Sequence, residues 1–548
     1  MVNESWQHNL TNHLLHVTDK LKQLEGHLQT KDDNSNIFFV ITMAILVFLM
    51  QCGFAFLEAG SVRSKNTTNI LIKNMLDPFF SAAAYWVCGW AFAYGSPSNP
   101  FIGYGQFCAA DLPATQYHHW FFQYVFAAAT STIVSGAMAE RCEFVAYCVY
   151  CLVLTGFLYP VVTHWAWAPD GWLKNVGGKG IGFNDFAGSG VVHMTGGVCA
   201  LVGAYLLGPR IGRFPTEKDT RQHEIRGHSV PLAALGGFIL LFGFFAFNGG
   251  SQVSIATQGD GESVSRAVIT TIISAAFAAF ATLLLAKLMY KRWSLLITLN
   301  GALAGMVAIC ASCNQVYPWA AAIIGIGAGC FCTLWSMLAN KARIDDPLDA
   351  FAVHFGGGFW GVLAAPIFNF DHGIVFFWDK TAFKAFGWNL LGAVVIIAWS
   401  FVLCSIMFGT LKALRLLRVS EEVEIKGLDI VKHGEPAYPA VSYGHGWGPP
   451  WDEAINWAVM AIRKASIGQP ISPPNGQAVV ENGISPFGDI LEHPELDWIR
   501  QHSTPPNIGG HFRSPHSRHR RVAPMEMQPI QQPVFHHYLQ QPVDRNSY

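Results

Sequence analysis

Charged side chains are scarce in this chain. Asp, Glu, Lys and Arg make up 13% of its 548 residues, and the formal net charge is −1. A nucleic-acid-binding protein would need a basic surface and a disordered chain would need few apolar residues, so both classes are excluded. Hydrophobic residues make up 51% of the chain, which is typical of a membrane protein.

Other absences bear on function. Residues 1–36 are mostly polar and show no charged-then-apolar leader, so no signal peptide is predicted. We find no nucleotide-binding loop, nucleophile motif or metal-ligand cluster, and we therefore expect neither an enzyme nor a cofactor. Two CxxC pairs, Cys148 with Cys151 and Cys310 with Cys313, lie in or beside apolar segments. Small buried side chains are favoured there over metal or redox chemistry.

Long apolar segments are abundant instead. A bilayer core needs about 20 apolar helical residues, and on that basis the chain predicts an all-α polytopic membrane protein with eleven transmembrane helices. The segment 294–311 is short for a span, and two others carry His193 and His354. The predicted spans are 37–57, 78–96, 118–139, 144–167, 186–207, 230–249, 267–287, 294–311, 316–338, 350–368 and 387–410.

The basic residues predict the orientation of these spans, because Lys and Arg concentrate in cytoplasmic loops. One alternate set of loops is basic and the opposite set is nearly empty, so the first set is predicted to be cytoplasmic. An odd number of spans then puts the N-terminus outside and the C-terminus inside. The basic set holds Arg63, Lys65, Lys73, Arg141, Arg210, Arg213, Lys218, Arg221, Arg226, Lys287, Lys291, Arg292, Lys341 and Arg343.

The ends of the chain form separate predicted regions. Residues 1–36 are predicted to be an extracellular segment with a short heptad helix, whose apolar residues follow one another at steps of four and three from Leu10 to Leu28. Self-association and a simple amphipathic surface helix both fit this pattern. Asn3 and Asn9 begin N-glycosylation sequons, which matter only if this end is outside. After the transmembrane domain 37–410, residues 411–466 are predicted to pack on it in the cytoplasm, and 467–548 to be disordered.

One motif occurs twice in the apolar part of the chain. Asp185 is followed eight residues later by His193, and Asp346 is followed eight residues later by His354. Each His has Val before it and a Gly pair at the third and fourth positions after it. The copies lie in spans five and ten, so a five-span repeat would return in inverted orientation, as in many transporters and channels.

The repeated motif carries ionisable groups where they are costly, and such groups usually face a pathway or the bundle interior. Two neutral imidazoles could line a narrow path and pass a proton along it, whereas a lone His more often bonds a backbone carbonyl. Asp346, followed by Pro347, favours a capping role at a helix start. Asp185 could cap a helix, recruit a cation, or do both. Trp167 suits either the membrane interface or a cation site.

These motifs together resemble the ammonium transporter family (Amt, Mep and Rh proteins), and most of all its eukaryotic Amt branch. The resemblance covers about 37–440. It rests on segment 185–193, which reads Asp-Phe-Ala-Gly-Ser-Gly-Val-Val-His, on Gly-Pro-Arg-Ile-Gly-Arg at 208–213, and on the first-span segment 53–66. Ala-Glu-Arg at 139–141, Phe-Asn-Gly-Gly-Ser at 247–251 and Asp-Asp-Pro at 345–347 match further spans.

The resemblance implies roles for individual residues. His193 and His354 match the twin histidines of the family's pore, and Phe126 and Phe247 match its stacked phenyl gate. Such a pore conducts ammonium and methylammonium. The family is homotrimeric, sits among membrane lipids and has a tail that docks across subunits, which implies a multi-pass plasma membrane protein.

The resemblance also implies an outer recruitment site at Trp167, Phe126 and Ser251, with Asp185 as the acid beside it. Two departures stand out. Phe355 follows the second His where many relatives have Gly, and Val431 stands where plant relatives carry a regulatory Thr, which excludes phosphorylation at that position. A neutral ammonia or carbon dioxide facilitator and an ammonium sensor with weak transport remain alternatives to transport.

Overall fold

The computed structural model describes residues 2–175, 181–215 and 225–439, and these are predominantly helical. Within those ranges the β pairing is limited to two isolated bridges, Ser98 with Gly103 and Cys142 with Arg418. Predictions that concern residues 440–548, including the tail 467–548, lie outside the described residues.

Sixteen α-helices and five π-helical segments are described. The α-helices are α1 (Val2–Phe48), α2 (Met50–Ser61), α3 (Thr67–Ala84), α4 (Trp90–Tyr94), α5 (Tyr117–Met138), α6 (Phe144–Val153), α7 (Tyr159–Trp167), α8 (Trp172–Asn175), α9 (Thr195–Leu207), α10 (Val230–Gly250), α11 (Asp260–Tyr290), α12 (Leu295–Ile309), α13 (Pro318–Lys341), α14 (Gly357–Phe368), α15 (Lys380–Ala413) and α16 (Glu421–Lys426). The π-helical segments are π1 (Tyr85–Gly89), π2 (Leu154–Leu158), π3 (Ser189–Met194), π4 (Phe351–Gly356) and π5 (Asp429–His433).

Among the described residues, nine helical stretches are long and apolar enough to cross a membrane. They coincide with nine of the eleven predicted segments. The other two predicted segments, 78–96 and 294–311, are also helical, but α12 has only 15 residues and α3 carries charge. The chain is therefore an all-helical polytopic protein, and the number eleven stays a prediction.

The segment predicted as 78–96 begins earlier than expected, because α3 starts at Thr67 and contains Pro78 in its interior. Lys73, which is predicted to lie in a cytoplasmic loop, and Asp77 are instead buried inside α3 with partners. Lys73 Nζ donates to the carbonyl of Cys142 at 3.0 Å, and Asp77 accepts the hydroxyl of Ser131 at 3.0 Å. Since both charges are partnered, they do not end the helix.

Polar side chains mark several of the helix starts. Ser229 and Ser294 accept the N–H groups of Leu232 and Ile297, and Asp379 accepts that of Ala382 at 2.8 Å. Each of these bonds satisfies one of the N–H groups that a helix start leaves without an intrahelical partner.

The two helical stretches that carry His193 and His354 pack so closely that their backbones are in contact. A Cβ atom added to Gly358 would lie 2.4 Å from the carbonyl oxygen of Ser189, and one added to Gly197 would lie 2.4 Å from the backbone nitrogen of Phe355. Only Gly permits so close an approach at these two places. The second Gly of each repeated pair thus brings π3 and π4 together.

A network of buried charges joins three loops: the loop between α5 and α6, the loop after α9, and the loop between α13 and π4. Arg210 Nε lies 2.8 Å from Asp345 Oδ2, and Arg210 Nη1 lies 3.3 Å from Glu140 Oε2. Burial alone would raise the pKa of Asp345, but the guanidinium of Arg210 outweighs burial and lowers it to about 2. Both acids therefore hold these loops together as carboxylates.

The segment after α15 packs on the start of α3. Asp429 Oδ1 accepts the N–H of Asn69 at 2.8 Å, and Leu428 donates its N–H to Asn66 Oδ1 at 3.0 Å. Burial raises the pKa of Asp429 to about 6. These bonds fix the described part of the C-terminal region to the start of α3.

Candidate functional site

A vestibule of about 590 Å³ opens among α5, α7 and the end of α10. Its wall includes three of the four residues that the sequence predicts for cation recruitment, Phe126, Trp167 and Ser251, and does not include the fourth, Asp185. The rings of Phe126 and Trp167 lie 6.1 Å apart at an interplanar angle of 77°. The Ser251 hydroxyl donates to the Phe247 carbonyl at 2.7 Å, which leaves the oxygen lone pairs of Ser251 available to accept a donor from the vestibule.

Two phenyl rings close the bottom of the vestibule. Phe126 and Phe247 are stacked with centroids 4.1 Å apart and an interplanar angle of 19°, and both side chains are buried. An ion that kept its hydration shell could not pass between rings packed so closely. Passage therefore requires the rings to move and the solute to lose its water.

The two repeated histidines lie directly beyond this stack. The ring of His193 lies 5.4 Å from that of Phe247, and the rings of His193 and His354 are stacked with centroids 5.2 Å apart. Their Nδ1 atoms are 3.1 Å apart. If both rings are neutral, one Nδ1 carries the shared proton, so one ring presents Nε2 as an acceptor and the other presents Nε2–H as a donor. The pair is thus suited to accept a proton at one end and release one at the other.

A small cavity lies beside His354, beyond the histidine pair as seen from the vestibule. His354 lines a cavity of about 30 Å³ together with Glu58, Thr132 and Leu348, which is room for about one water-sized molecule. Within the described part of the chain, the Oε1 atom of Glu58 and the Nε2 atom of His193 are buried without a hydrogen-bond partner. The residues of the series from vestibule to small cavity follow one another without a gap.

Asp185 is placed as a helix cap. Its carboxylate accepts the N–H groups of Gly188 at 3.0 Å, Gly190 at 2.8 Å and Val191 at 2.9 Å, so it fixes the start of π3. Its backbone carbonyl accepts the indole N–H of Trp167 at 2.7 Å. The described wall of the vestibule does not include the Asp185 carboxylate. Of the two roles that the sequence leaves open, the geometry matches capping, and Asp185 also orients Trp167 and His193.

Asp346 occupies the equivalent place before π4. Its Oδ2 atom accepts the N–H of Phe351 at 2.7 Å, five residues further on, as Asp185 does with Gly190. Both π segments therefore begin at an Asp cap, and each carries its His eight residues after that Asp.

Several residues at the site were not singled out from the sequence. Phe244 stacks on His193 with centroids 5.6 Å apart, and Phe122 lies 4.7 Å from Phe126. Helical spacing was the available signal, since these residues precede Phe247 and Phe126 by three and four positions and so share a face with them. For Glu58, an acid at the end of an apolar segment was the signal.

Comparisons with known proteins agree with this geometry. The model of the Ammonium Transporter Family matches residues 37–438. The Caenorhabditis elegans protein "Putative ammonium transporter 1" is 51% identical over 435 residues, which cover 76% of this chain and 81% of that protein. Ammonium transporter 1 member 3 of Solanum lycopersicum is 39% identical over 439 residues, covering 74% of this chain and 94% of the relative.

A solved structure named Sensor Amt Protein has the same fold. It is 35% identical with a TM-score of 0.68, and the match covers 74% of this chain and 100% of that chain. The family model spans most of the sequence, including every predicted site residue. This chain therefore belongs to the Ammonium Transporter Family and is a multi-pass membrane protein, not an enzyme.

Proposed function

We propose that this protein transports ammonium, and the analogue methylammonium, by binding the cation in the vestibule, removing a proton near the stacked phenyl rings and conducting neutral ammonia past His193 and His354. The observation that carries the proposal is the uninterrupted series from vestibule to histidine pair, with ring distances of 6.1, 4.1, 5.4 and 5.2 Å.

Binding in the vestibule would distinguish ammonium from potassium. The faces of Trp167 and Phe126 attract a cation of either kind. Ammonium also donates hydrogen bonds, and the Ser251 oxygen is free to accept one, whereas potassium has no proton to donate. Size and charge are similar for the two ions, so this hydrogen bond is the first point of selection.

Deprotonation would provide the second point of selection. Moving an unpaired ion into the apolar passage costs far more than moving a neutral molecule, and the rings that follow one another from Phe126 to His354 are two phenyl groups and two imidazoles. Ammonium can enter by losing a proton, which potassium cannot. The proton either returns to the vestibule or moves separately through the hydrogen-bonded histidine pair.

The proposal includes the finer architecture predicted from the sequence. We propose eleven spans in a five-plus-five inverted repeat, the N-terminus outside, the C-terminus in the cytoplasm, a plasma membrane location, surrounding lipid and a homotrimer with one pore in each subunit. The matching Asp caps and π segments at Asp185 and Asp346 support the repeat. The proposed domains are 1–36, 37–410, 411–466 and 467–548.

A sensor with little transport is the second candidate, favoured by the likeness to the Sensor Amt Protein. A facilitator of neutral gas is disfavoured, because Trp167 and Ser251 in the vestibule suit a cation. Ammonium and methylammonium pulses on membranes containing the full chain, recorded as current and as tracer uptake, separate the three. Saturating uptake supports transport, and an accompanying current shows that charge moves. Uptake that neither saturates nor carries current supports the gas facilitator, and absence of both supports the sensor.

A further inference from the structure

The long N-terminal helix carries an apolar stripe that nothing else in the described chain covers. Helix α1 runs without a break from Val2 into the first predicted span. It is anchored at Asn36, whose Oδ1 accepts the N–H groups of Ile255 at 2.8 Å and Ala256 at 3.0 Å. The part before Asn36 extends about 50 Å at the helical rise per residue. The apolar residues along it, each between 42 and 58% exposed, are Leu10, Leu14, Val17, Leu21, Leu24 and Leu28.

We propose that this stripe is the seam of a parallel, in-register coiled coil formed with other copies of this chain. Spacing of four and three residues places Leu14, Leu21 and Leu28 at heptad position a, and Leu10, Val17 and Leu24 at position d. Leu or Val occupies all six positions over three heptads. The proposal is independent of the transported substrate.

The connection to the membrane fixes the direction of the partner helices. Because α1 continues directly into a span, all copies inserted in the same orientation point their N-terminal helices the same way. A helix lying flat on the membrane surface would need a break before the span, and α1 has none. The same heptad positions are interrupted by Lys31, Ser35 and Thr42, and they carry apolar residues again at Phe38, Ile45 and Leu49, which are 74, 55 and 40% exposed.

The charges beside the stripe fit the parallel arrangement. In a parallel coiled coil, position g of one helix faces position e of the next heptad on its neighbour, five residues further along. Lys20 at g then faces Glu25 of the next copy, and His27 faces Asp32 of the next copy. An antiparallel pair that kept the six apolar layers aligned would place g against g and e against e, bringing Lys20 to Lys20 and Glu25 to Thr11, so that neither charge gains an opposite partner. The charge pattern and the membrane orientation therefore select the same partner, a second copy in register.

Disulfide crosslinking of the full chain in membranes tests this arrangement. Leu21→Cys places a thiol in the seam, where equivalent residues of in-register copies face each other. Gly26→Cys places one at position f, pointing away, where an added Cβ meets no atom within 4 Å. We expect mild oxidation to link Leu21→Cys chains covalently and to leave Gly26→Cys chains without a covalent link. The unsubstituted chain controls for the native thiols, including the exposed Cys52 and Cys108.

Charge reversal tests the register. In the Leu21→Cys background, Lys20→Glu should lower the crosslinking yield about threefold, the size of a surface ion-pair effect, and adding Glu25→Lys should restore it. Methylammonium uptake by each variant shows separately that the chain is folded and inserted. Equal crosslinking at 21 and 26, or none at 21 in a chain that transports normally, would overturn the coiled coil without bearing on transport.

Discussion

The role of Ser251 in substrate selection can be tested by a single substitution. Its hydroxyl proton is held by the Phe247 carbonyl, so its oxygen presents lone pairs to the vestibule. A hydrogen bond to a charged partner contributes about 1.5–3 kcal/mol. We expect Ser251→Ala to raise the half-saturation concentration for methylammonium about tenfold, with a smaller effect on the maximal rate.

Ser254→Ala is the matched control, because the Ser254 hydroxyl bonds the Gln252 carbonyl and is not part of the described vestibule wall. Kinetics of tracer uptake measure both variants. An unchanged half-saturation concentration in Ser251→Ala would remove Ser251 from the binding site.

The raised pKa of Asp346 predicts that the stability of the protein depends on pH. Burial, followed by the negative charge of Asp349, raises the pKa of Asp346 to about 7. A carboxyl whose pKa is raised by folding stabilises the fold fully below its ordinary pKa, and this contribution is lost as pH rises through the folded value. Raising the pH from 6 to 8 should therefore lower the unfolding temperature of the purified protein.

Asp346→Asn keeps an oxygen that can accept the Phe351 N–H but has no charge, so its unfolding temperature should fall less over this range of pH. The exposed Asp371 provides a control, since Asp371→Asn should keep the native slope. The same slope in Asp346→Asn as in the native chain would show that Asp346 does not titrate in this range.

At the residue scale, spacing made part of the site predictable. Two Asp–His copies in an apolar chain indicated a histidine pair, and the structure places the two Nδ1 atoms 3.1 Å apart. Spacing could not decide how Asp185 acts, because capping depends on which N–H groups the backbone turns towards its carboxylate. The left-handed Gly188, with φ of 102°, makes that turn.

At the scale of elements, the contact between the histidine segments depends on small residues. Gly358→Ala would place a methyl group against the backbone of Ser189 and Met194, at 2.4 and 3.2 Å. Backbone cannot yield as a flexible side chain does, so we expect a destabilisation of about 1–3 kcal/mol and reduced uptake, because His354 would move relative to His193.

Gly409→Ala is the matched substitution in α15, where an added Cβ meets no atom within 4 Å. It should leave stability unchanged or raise it by at most about 1 kcal/mol. Thermal unfolding of both purified variants provides the comparison. Equal stability of the two would show that π3 and π4 have room to separate.

The existence of most helices could be read from apolar length, whereas their ends could not. The predicted segment 78–96 misses the start of α3, because a basic residue such as Lys73 is typical of a cytoplasmic loop. The buried partner of Lys73, the carbonyl of Cys142, lies in a distant part of the chain. The π-helical segments were also not predicted. A single extra residue in a turn leaves no mark in hydrophobic periodicity.

At the scale of the whole molecule, the all-helical fold followed from composition, and the ammonium transporter family followed from motifs spread between residues 53 and 347. The assembly did not follow in the same way. The stripe on α1 fits both self-association and a surface helix at the level of sequence, and the unbroken course of α1 from Val2 to Phe48 is what favours self-association. The network at Arg210, Asp345 and Glu140 was equally hidden, because it joins residues far apart in sequence.

The proposed passage of ammonium as neutral ammonia depends on the histidine pair. Replacing both His193 and His354 with Leu tests it most directly, because the double variant keeps an apolar passage of similar volume and removes every ring nitrogen from it. Methylammonium uptake should be measured across substrate concentrations, with and without potassium, in membranes that hold equal amounts of native and variant chains. We expect saturable uptake to be lost or its selectivity over potassium to be weakened. Saturable uptake with unchanged selectivity over potassium would contradict this expectation.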